Sequence, residues 1–177
     1  MAPFDQERCV RLRLALANTC LCACLIQAHT QAPPSTLLRK APVMTRHAEG
    51  SFDPKTTPLA ADEATTGTLI GRYSLVKQYH GDLEATAKGE MISAGDPSSG
   101  SAGYVAIEQV TGTLSGHTGS FALQHIGVME GGSYKLSVAV VPGSGTGQLT
   151  GLAGTLTIII ASGKHSYSFE YSLPAAP

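Results

Sequence analysis

The chain has 177 residues, a formal net charge of -1, 14% charged residues, 20 glycines and 10 prolines. That length gives one domain room for a sizeable core, and a composition rich in glycine, threonine and valine points to an all-β class with little helix. Basic residues cluster on no one predicted strand and do not interleave with aromatics, so no nucleic-acid partner is expected.

Residues 1–43 differ in character from the rest. Arg8, Arg11 and Arg13 precede an apolar run over 14–26, followed by a Pro/Ala/Gln/Thr-rich stretch to Pro42, the order of a secretory leader. The run is too short, and too interrupted by Asn18 and Thr19, for a membrane span. Cys24 ends a Leu-Cys-Ala-Cys stretch that weakly matches a lipoprotein cleavage box. Asp5 and Glu7 in the leader, and Leu25 and Ile26 after the cleavage point, speak against export. The other reading is an over-extended start, with translation beginning at Met44. That start makes the protein cytoplasmic, whereas a working leader over 1–28 makes it exported or a lipoprotein. On either reading residues 1–43 are expected to be disordered and outside the fold, with the barrel domain at 44–174 and a tail at 175–177. All the cysteines, Cys9, Cys20, Cys22 and Cys24, fall in the leader. The domain therefore has no thiol chemistry, and no further ligand completes a metal spacing near them.

From Met44 the pattern is one of strands. Residues 44–57 alternate Ala48, Gly50 and Phe52 against His47, Glu49, Ser51 and Asp53, and are closed by Pro54 and Pro58. Residues 59–67 are turn-rich, with a short helical turn expected over 60–64. A second strand, 68–79, puts Leu69, Gly71, Tyr73, Leu75 and Tyr79 on one face; Lys77 shares that parity, which implies a bulge or a strand end. In the third, 81–93, Leu83, Ala85, Ala87, Gly89 and Met91 face one way, and the small residues leave room as beside a cavity. A loop over 95–102 leads to a strand at 103–114, apolar on both parities as when both faces are covered. Ser115-Gly116 turns into 119–129, where Phe121, Leu123, His125, Gly127 and Met129 share a face. Glu130-Gly131-Gly132 turns into Tyr134, Leu136, Val138 and Val140, ended by Pro142. Residues 143–154 form a flexible glycine-rich loop. A strand over 155–161 then meets a hairpin at Ser162-Gly163-Lys164, and the last strand turns His165, Tyr167, Phe169, Tyr171 and Leu173 inward. Eight antiparallel strands close naturally into a barrel that is either filled by side chains or holds one small ligand. A two-sheet sandwich is the alternative.

Several blocks of the domain resemble a bacterial domain-of-unknown-function family, family 3224: HAEGSFD at 47–53, HGDLEATAKGEM at 80–91, SAGYVAIEQVTGTLSG at 101–116, GSFALQH at 119–125, SGTGQLTGLAG at 144–154 and GKHSYSFEY at 163–171. The resemblance covers essentially all of 44–174, in order. It implies an eight-stranded closed barrel similar to that of allene oxide cyclase, the plant enzyme that closes a fatty-acid epoxide into a cyclopentenone. It also implies that short members begin near Met44. It brings no activity and no catalytic residue.

Polar residues on apolar parities are the sharpest chemical signals. His125 lies between Leu123 and Gly127 and is expected to point inward, where it needs a partner. Glu108 alternates with Tyr104, Ala106 and Val110; its own strand leaves its direction open. If both point inward, a carboxylate and an imidazole share a low-dielectric site suited to acid/base chemistry; the plainer alternative is a hydrogen-bonded core pair that fixes register. His80, Glu84 and Glu90 read as a solvated face, and His165 with Lys164 as a cap on a barrel mouth. No paired-histidine metal motif, phosphate cradle or G-x-S-x-G elbow occurs, so no metal and no cofactor are expected. The expected function is binding of an apolar or amphipathic small molecule inside the barrel. Tyr104, Phe121, Leu123, Met129, Tyr134, Tyr167 and Phe169 line the site, while Glu108, Gln124 and His125 orient the ligand's polar end. The alternatives are a cofactor-independent cyclase or isomerase using Glu108 and His125, and a structural, self-associating barrel. Homo-oligomerisation is left open.

Overall fold

The computed structural model describes residues 44–174; the leader expected at 1–43 and the tail at 175–177 lie outside the described residues. The strands are β1 (Thr45–Pro58), β2 (Ile70–Gly81), β3 (Leu83–Asp96), β4 (Ser101–Leu114), β5 (His117–Glu130), β6 (Ser133–Val140), β7 (Ala153–Ala161) and β8 (Lys164–Ser172). They form one closed antiparallel barrel in sequence order, with β8 returning to β1, so the sandwich alternative falls. Among the described residues no helix is long and apolar enough to cross a membrane.

The two ends of the barrel differ. One end, with the β2–β3 and β4–β5 turns, is filled by Leu83, Leu114, Leu149, Leu152, Tyr167 and Phe169, all almost fully buried. There the Tyr167 hydroxyl accepts a hydrogen bond from Leu83 N at 2.8 Å and lies 3.1 Å from the Glu49 carbonyl, tying three strands together. The other end carries the β3–β4, β5–β6 and β7–β8 links and stays hollow. Strand pairing thins out toward it: β1 pairs with β8 only from Thr45 to Ser51, and β6 meets β7 at the single pair Ala139 and Thr155. The 14-residue β1 runs straight through Pro54, which therefore does not close it. Pro54 lies beyond the last β8 pair, where the strand has one neighbour only and a missing N–H is tolerated.

Three further sequence expectations are corrected. The short helical turn expected over 60–64 lies two residues later: Thr66 N donates to the Asp62 carbonyl at 2.8 Å, and the Asp62 carboxylate accepts from the backbone of Ala64 and Thr65. The glycine-rich segment after Pro142 is not a loose loop. It contains a short 3-10 turn at Gly147–Leu149, and its Leu149 and Leu152 plug the filled end. Its Gln148, Thr146 and Ser144 side chains accept from Thr118 N, Ser120 N and Ala122 N along the part of β5 that β6 does not reach, and so replace the missing ladder partner. Finally, β4 is apolar on both parities although its outer face is uncovered: Ile92, Val105 and Ile126 sit side by side across β3, β4 and β5, each about half exposed.

Candidate functional site

The hollow end holds a cavity of about 550 Å³, with Leu75, Met91, Ala106, Leu136 and Ile158 on its walls and Lys77, His125 and His165 among its polar lining groups. Tyr134 and Ile160, both well exposed, stand at its rim. A second, more apolar hollow of about 620 Å³ shares Met91, Tyr104, Tyr134 and Ile160 with the first and extends toward Met129 and Pro97. Tyr134 donates a hydrogen bond to the Tyr104 hydroxyl at 3.0 Å where the two hollows meet. The Tyr104 ring lies over Gly127, where an added Cβ would come within 2.1 Å of it, so the glycine on β5 is what admits the ring.

Four side chains meet beneath the cavity. Glu108 on β4 is wholly buried. Its Oε1 accepts from Lys77 Nζ at 3.0 Å and Tyr79 OH at 2.8 Å, and lies 3.2 Å from His125 Nε2. A carboxylate only accepts, so His125 carries its proton on Nε2 in this arrangement. Glu108 Oε2 is 2.9 Å from the same ammonium, within ion-pair range, but off the direction a hydrogen bond needs, so it receives no hydrogen bond. Burial pushes the Glu108 carboxyl up; the His125 bond and the Lys77 charge outweigh it, and the net displacement is downward from the ordinary 4.5. Burial, with the Glu108 charge beside it, drives the Tyr79 phenol well above 10.0, which keeps it a neutral donor. Lys77 Nζ also stands 5.4 Å from the Phe52 ring centroid.

Strand register explains how these groups meet. Lys77 and Tyr79 on β2 reach Glu108 on β4 across β3, and the residues of β3 between them are Ala85, Ala87 and Gly89. Gly89 faces Glu108 in register, and a Cβ there would come within 2.6 Å of Glu108 Cα and 2.0 Å of the Ile107 carbonyl. The small residues of β3 therefore do not line the cavity; they clear the surface over which a lysine and a tyrosine cross to the carboxylate. His125 pairs in register with Ala106, one inward position from Glu108, which makes it a diagonal neighbour.

Lys77 is the residue that sequence reasoning missed. There is no bulge and no strand end: the β1–β2 and β2–β3 registers run through it without a break, and it is buried. Its signal was visible as a lysine on the inward parity between Leu75 and Tyr79, which a buried carboxylate explains better than a backbone irregularity. Gln124 is the converse case, exposed and on the outer face, because alternation forces the neighbour of an inward His125 outward. Phe121, Leu123, Tyr167 and Phe169 point inward but belong to the filled end and do not line the cavity. Tyr104 and Tyr134 line both hollows, Met129 the outer one only, and His165 the inner one, packed against Phe52 at 5.2 Å. His80, Glu84 and Glu90 are exposed. Among the described residues no group of three or more His, Cys, Asp or Glu is placed to hold a metal ion.

Fold and site together define a small antiparallel β-barrel, packed solid at one end and hollow at the other, with a buried lysine, carboxylate and histidine between. The chain belongs to the family described as "Protein of unknown function (DUF3224)", whose sequence profile matches residues 48–171. It is similar to a solved protein of unknown function from that family in Shewanella oneidensis MR-1, at 47% identity and a TM-score of 0.68, over 75% of this chain and 100% of the other. A search of the curated proteins returns no match.

Proposed function

We propose that the barrel binds one small amphipathic molecule through its hollow end, with the apolar body against Leu75, Met91, Leu136 and Ile158 and a polar end on Lys77, which donates, and on the free ring nitrogen of His125, which accepts. The observation that carries this reading is the polarity of the floor. The floor of the cavity carries the Lys77 ammonium and the His125 imidazole, with a second imidazole, His165, on the wall, while the carboxylate that pairs with Lys77 and His125 is fully buried and absent from the walls. A carbonyl, hydroxyl or carboxylate oxygen on the ligand therefore meets the Lys77 ammonium as donor, and a hydroxyl can itself donate to the free ring nitrogen of His125. The cavity volume of about 550 Å³ falls in the range of small-molecule sites, roughly 300–1,000 Å³. A filled, purely structural barrel would leave no such hollow.

Proton transfer in a cyclase or isomerase is the second reading, favoured by the 3.2 Å contact between Glu108 and His125. Here His125 is the group that meets substrate, and Glu108 acts through it and through Lys77, since Glu108 does not line the cavity. A methyl NMR titration of the full chain with cinnamate, a small aromatic carboxylate, tests the binding reading. Saturable shifts at Leu75, Ala106, Leu136 and Ile158 are expected. Shifts confined to the outer-face Val105, Ile107 and Ile126, or none, would overturn it.

A further inference from the structure

We propose that Lys77 is a covalent capture site, forming a protonated imine with a ligand that carries an aldehyde or ketone. The inference rests on the binding reading above and names the ligand's reactive group. Lys77 is almost fully buried, yet it lines the cavity, with Phe52, Leu75, Met91 and Ala106 among the other lining residues, so a carbonyl lowered onto the floor reaches its Nζ. The facing charged and titratable groups are Glu108, Tyr79 and His125, and they suit each stage of the reaction.

The ammonium must first lose a proton. Glu108 Oε1 lies 3.0 Å from Lys77 Nζ and 3.2 Å from His125 Nε2, so it bridges the two. In the rest state His125 donates from Nε2 to Glu108, and the proton from Lys77 passes, by way of a water in the cavity that both side chains line, to the free imidazole nitrogen Nδ1, which makes an imidazolium without changing the charge of the cluster. The amine lone pair then forms the C–N bond as the carbonyl π pair moves to oxygen, and a proton passes from nitrogen to that oxygen, giving a neutral carbinolamine. His125 returns its proton to the hydroxyl, the C–O bond breaks with release of water, and the nitrogen lone pair forms the C=N bond. The sum is one ammonium and one carbonyl giving one protonated imine and one water. The positive charge remains at nitrogen, where Glu108 is already placed as counter-ion, so product and reactant states meet the same electrostatic surroundings.

The test treats the full chain with trans-cinnamaldehyde and sodium cyanoborohydride at neutral pH, followed by intact mass and peptide mapping. Expected is one cinnamyl group per chain, on Lys77, formed on the order of tenfold or more faster than on exposed lysines because binding supplies effective concentration. In Lys77→Arg, which keeps the buried charge, the fast adduct disappears and only slow surface labelling remains. His125→Asn slows the fast phase by on the order of a hundredfold, through loss of the group that protonates the leaving hydroxyl. Labelling spread over Lys55, Lys88, Lys135 and Lys164 with Lys77 untouched would overturn the proposal. Cinnamyl alcohol, which cannot form an imine, separates the two levels of the argument. If it shifts the cavity methyls of the wild type while Lys77 stays unlabelled, capture fails and the binding reading stands; if it shifts none of them, both fail.

Discussion

Separating Lys77 from Glu108 should be among the most costly changes this barrel can undergo. The ammonium lies 3.0 Å and 2.9 Å from the two carboxylate oxygens, with side-chain exposures of 7% and 0%, so solvent screens little of their interaction. At an effective dielectric constant of about 20 the Coulomb attraction is about 5–6 kcal/mol, and removing one partner of such a buried pair costs about 3–5 kcal/mol. Lys77→Met leaves Glu108 with Tyr79 and His125 and should fall near the lower figure. Glu108→Gln leaves a buried ammonium supported mainly by the Phe52 and Tyr79 rings, and should fall near the upper. The double variant carries neither charge, and because charge-free replacements of buried pairs are often close to neutral, it should cost about 2 kcal/mol or less. Urea unfolding of the full chain, followed by circular dichroism, gives all four free energies. A coupling of about 3 kcal/mol or more between the sites is expected. Single variants that cost under about 1 kcal/mol, as exposed pairs do, or additivity within about 0.5 kcal/mol, would refute the reasoning.

The remaining predictions follow from the same geometry. The carboxyl of Glu108 is held below 4.5 in the fold, so the unfolded chain takes up the proton first as pH falls. Its contribution is therefore complete above about 4.5 and lost below, through the folded value. The stability difference between wild type and Glu108→Gln should accordingly grow with pH across that acid window, while the exposed Asp62 and Asp96, also lowered, cancel in the subtraction; a difference independent of pH there would contradict it. Gly89→Ala should cost about 1–3 kcal/mol by pushing β3 off β4, measured by the same unfolding, and an unchanged midpoint would show that the strands have slack. Leu149→Ala should cost about 2–5 kcal/mol yet leave the cinnamate titration unaltered, since the plug and the cavity occupy opposite ends; a changed titration would mean that the ends are coupled. Gly127→Ala should displace the Tyr104 ring and alter probe affinity with a smaller loss of stability than Gly89→Ala, because its clash is with a side chain and not with backbone.

Much of the fold was legible because a strand with one buried face alternates, and the inward sets Ala48/Phe52, Leu83/Ala85/Ala87, Phe121/Leu123/His125 and Tyr167/Phe169/Tyr171 are all buried. His125 was legible in this way although polar, whereas Lys77 and Glu108 were not. At Lys77 the irregularity was assigned to the backbone, when the explanation is a carboxylate two strands away that single-strand reading cannot see. Glu108 was undecidable on its own strand because β4 is apolar on both sides. The placement of Ile92, Val105 and Ile126 shows why: outer-face positions there are aliphatic without being covered. Which inward residues line a hollow and which fill a core depends on height along the barrel, and hence on register. Phe121 and Tyr134 therefore looked equivalent in the sequence and lie toward opposite ends of the barrel. The plug formed by Leu149 and Leu152 was hidden among glycines whose composition signals mobility.

The hollow end is proposed to take a ligand whose polar group rests on Lys77 as donor and on the free ring nitrogen of His125 as acceptor. The most direct test is a thermal-shift screen of small aromatic and aliphatic carboxylates, aldehydes and ketones against the wild type and Ala106→Trp in parallel. Ala106 is inward and lines the cavity beside Met91 and His125, so an indole there occupies the proposed ligand space. Compounds that raise the Tm of the wild type and leave that of a cooperatively folded Ala106→Trp unmoved are the predicted result. Compounds that stabilise both proteins equally, or a panel in which none stabilises the wild type, would contradict it.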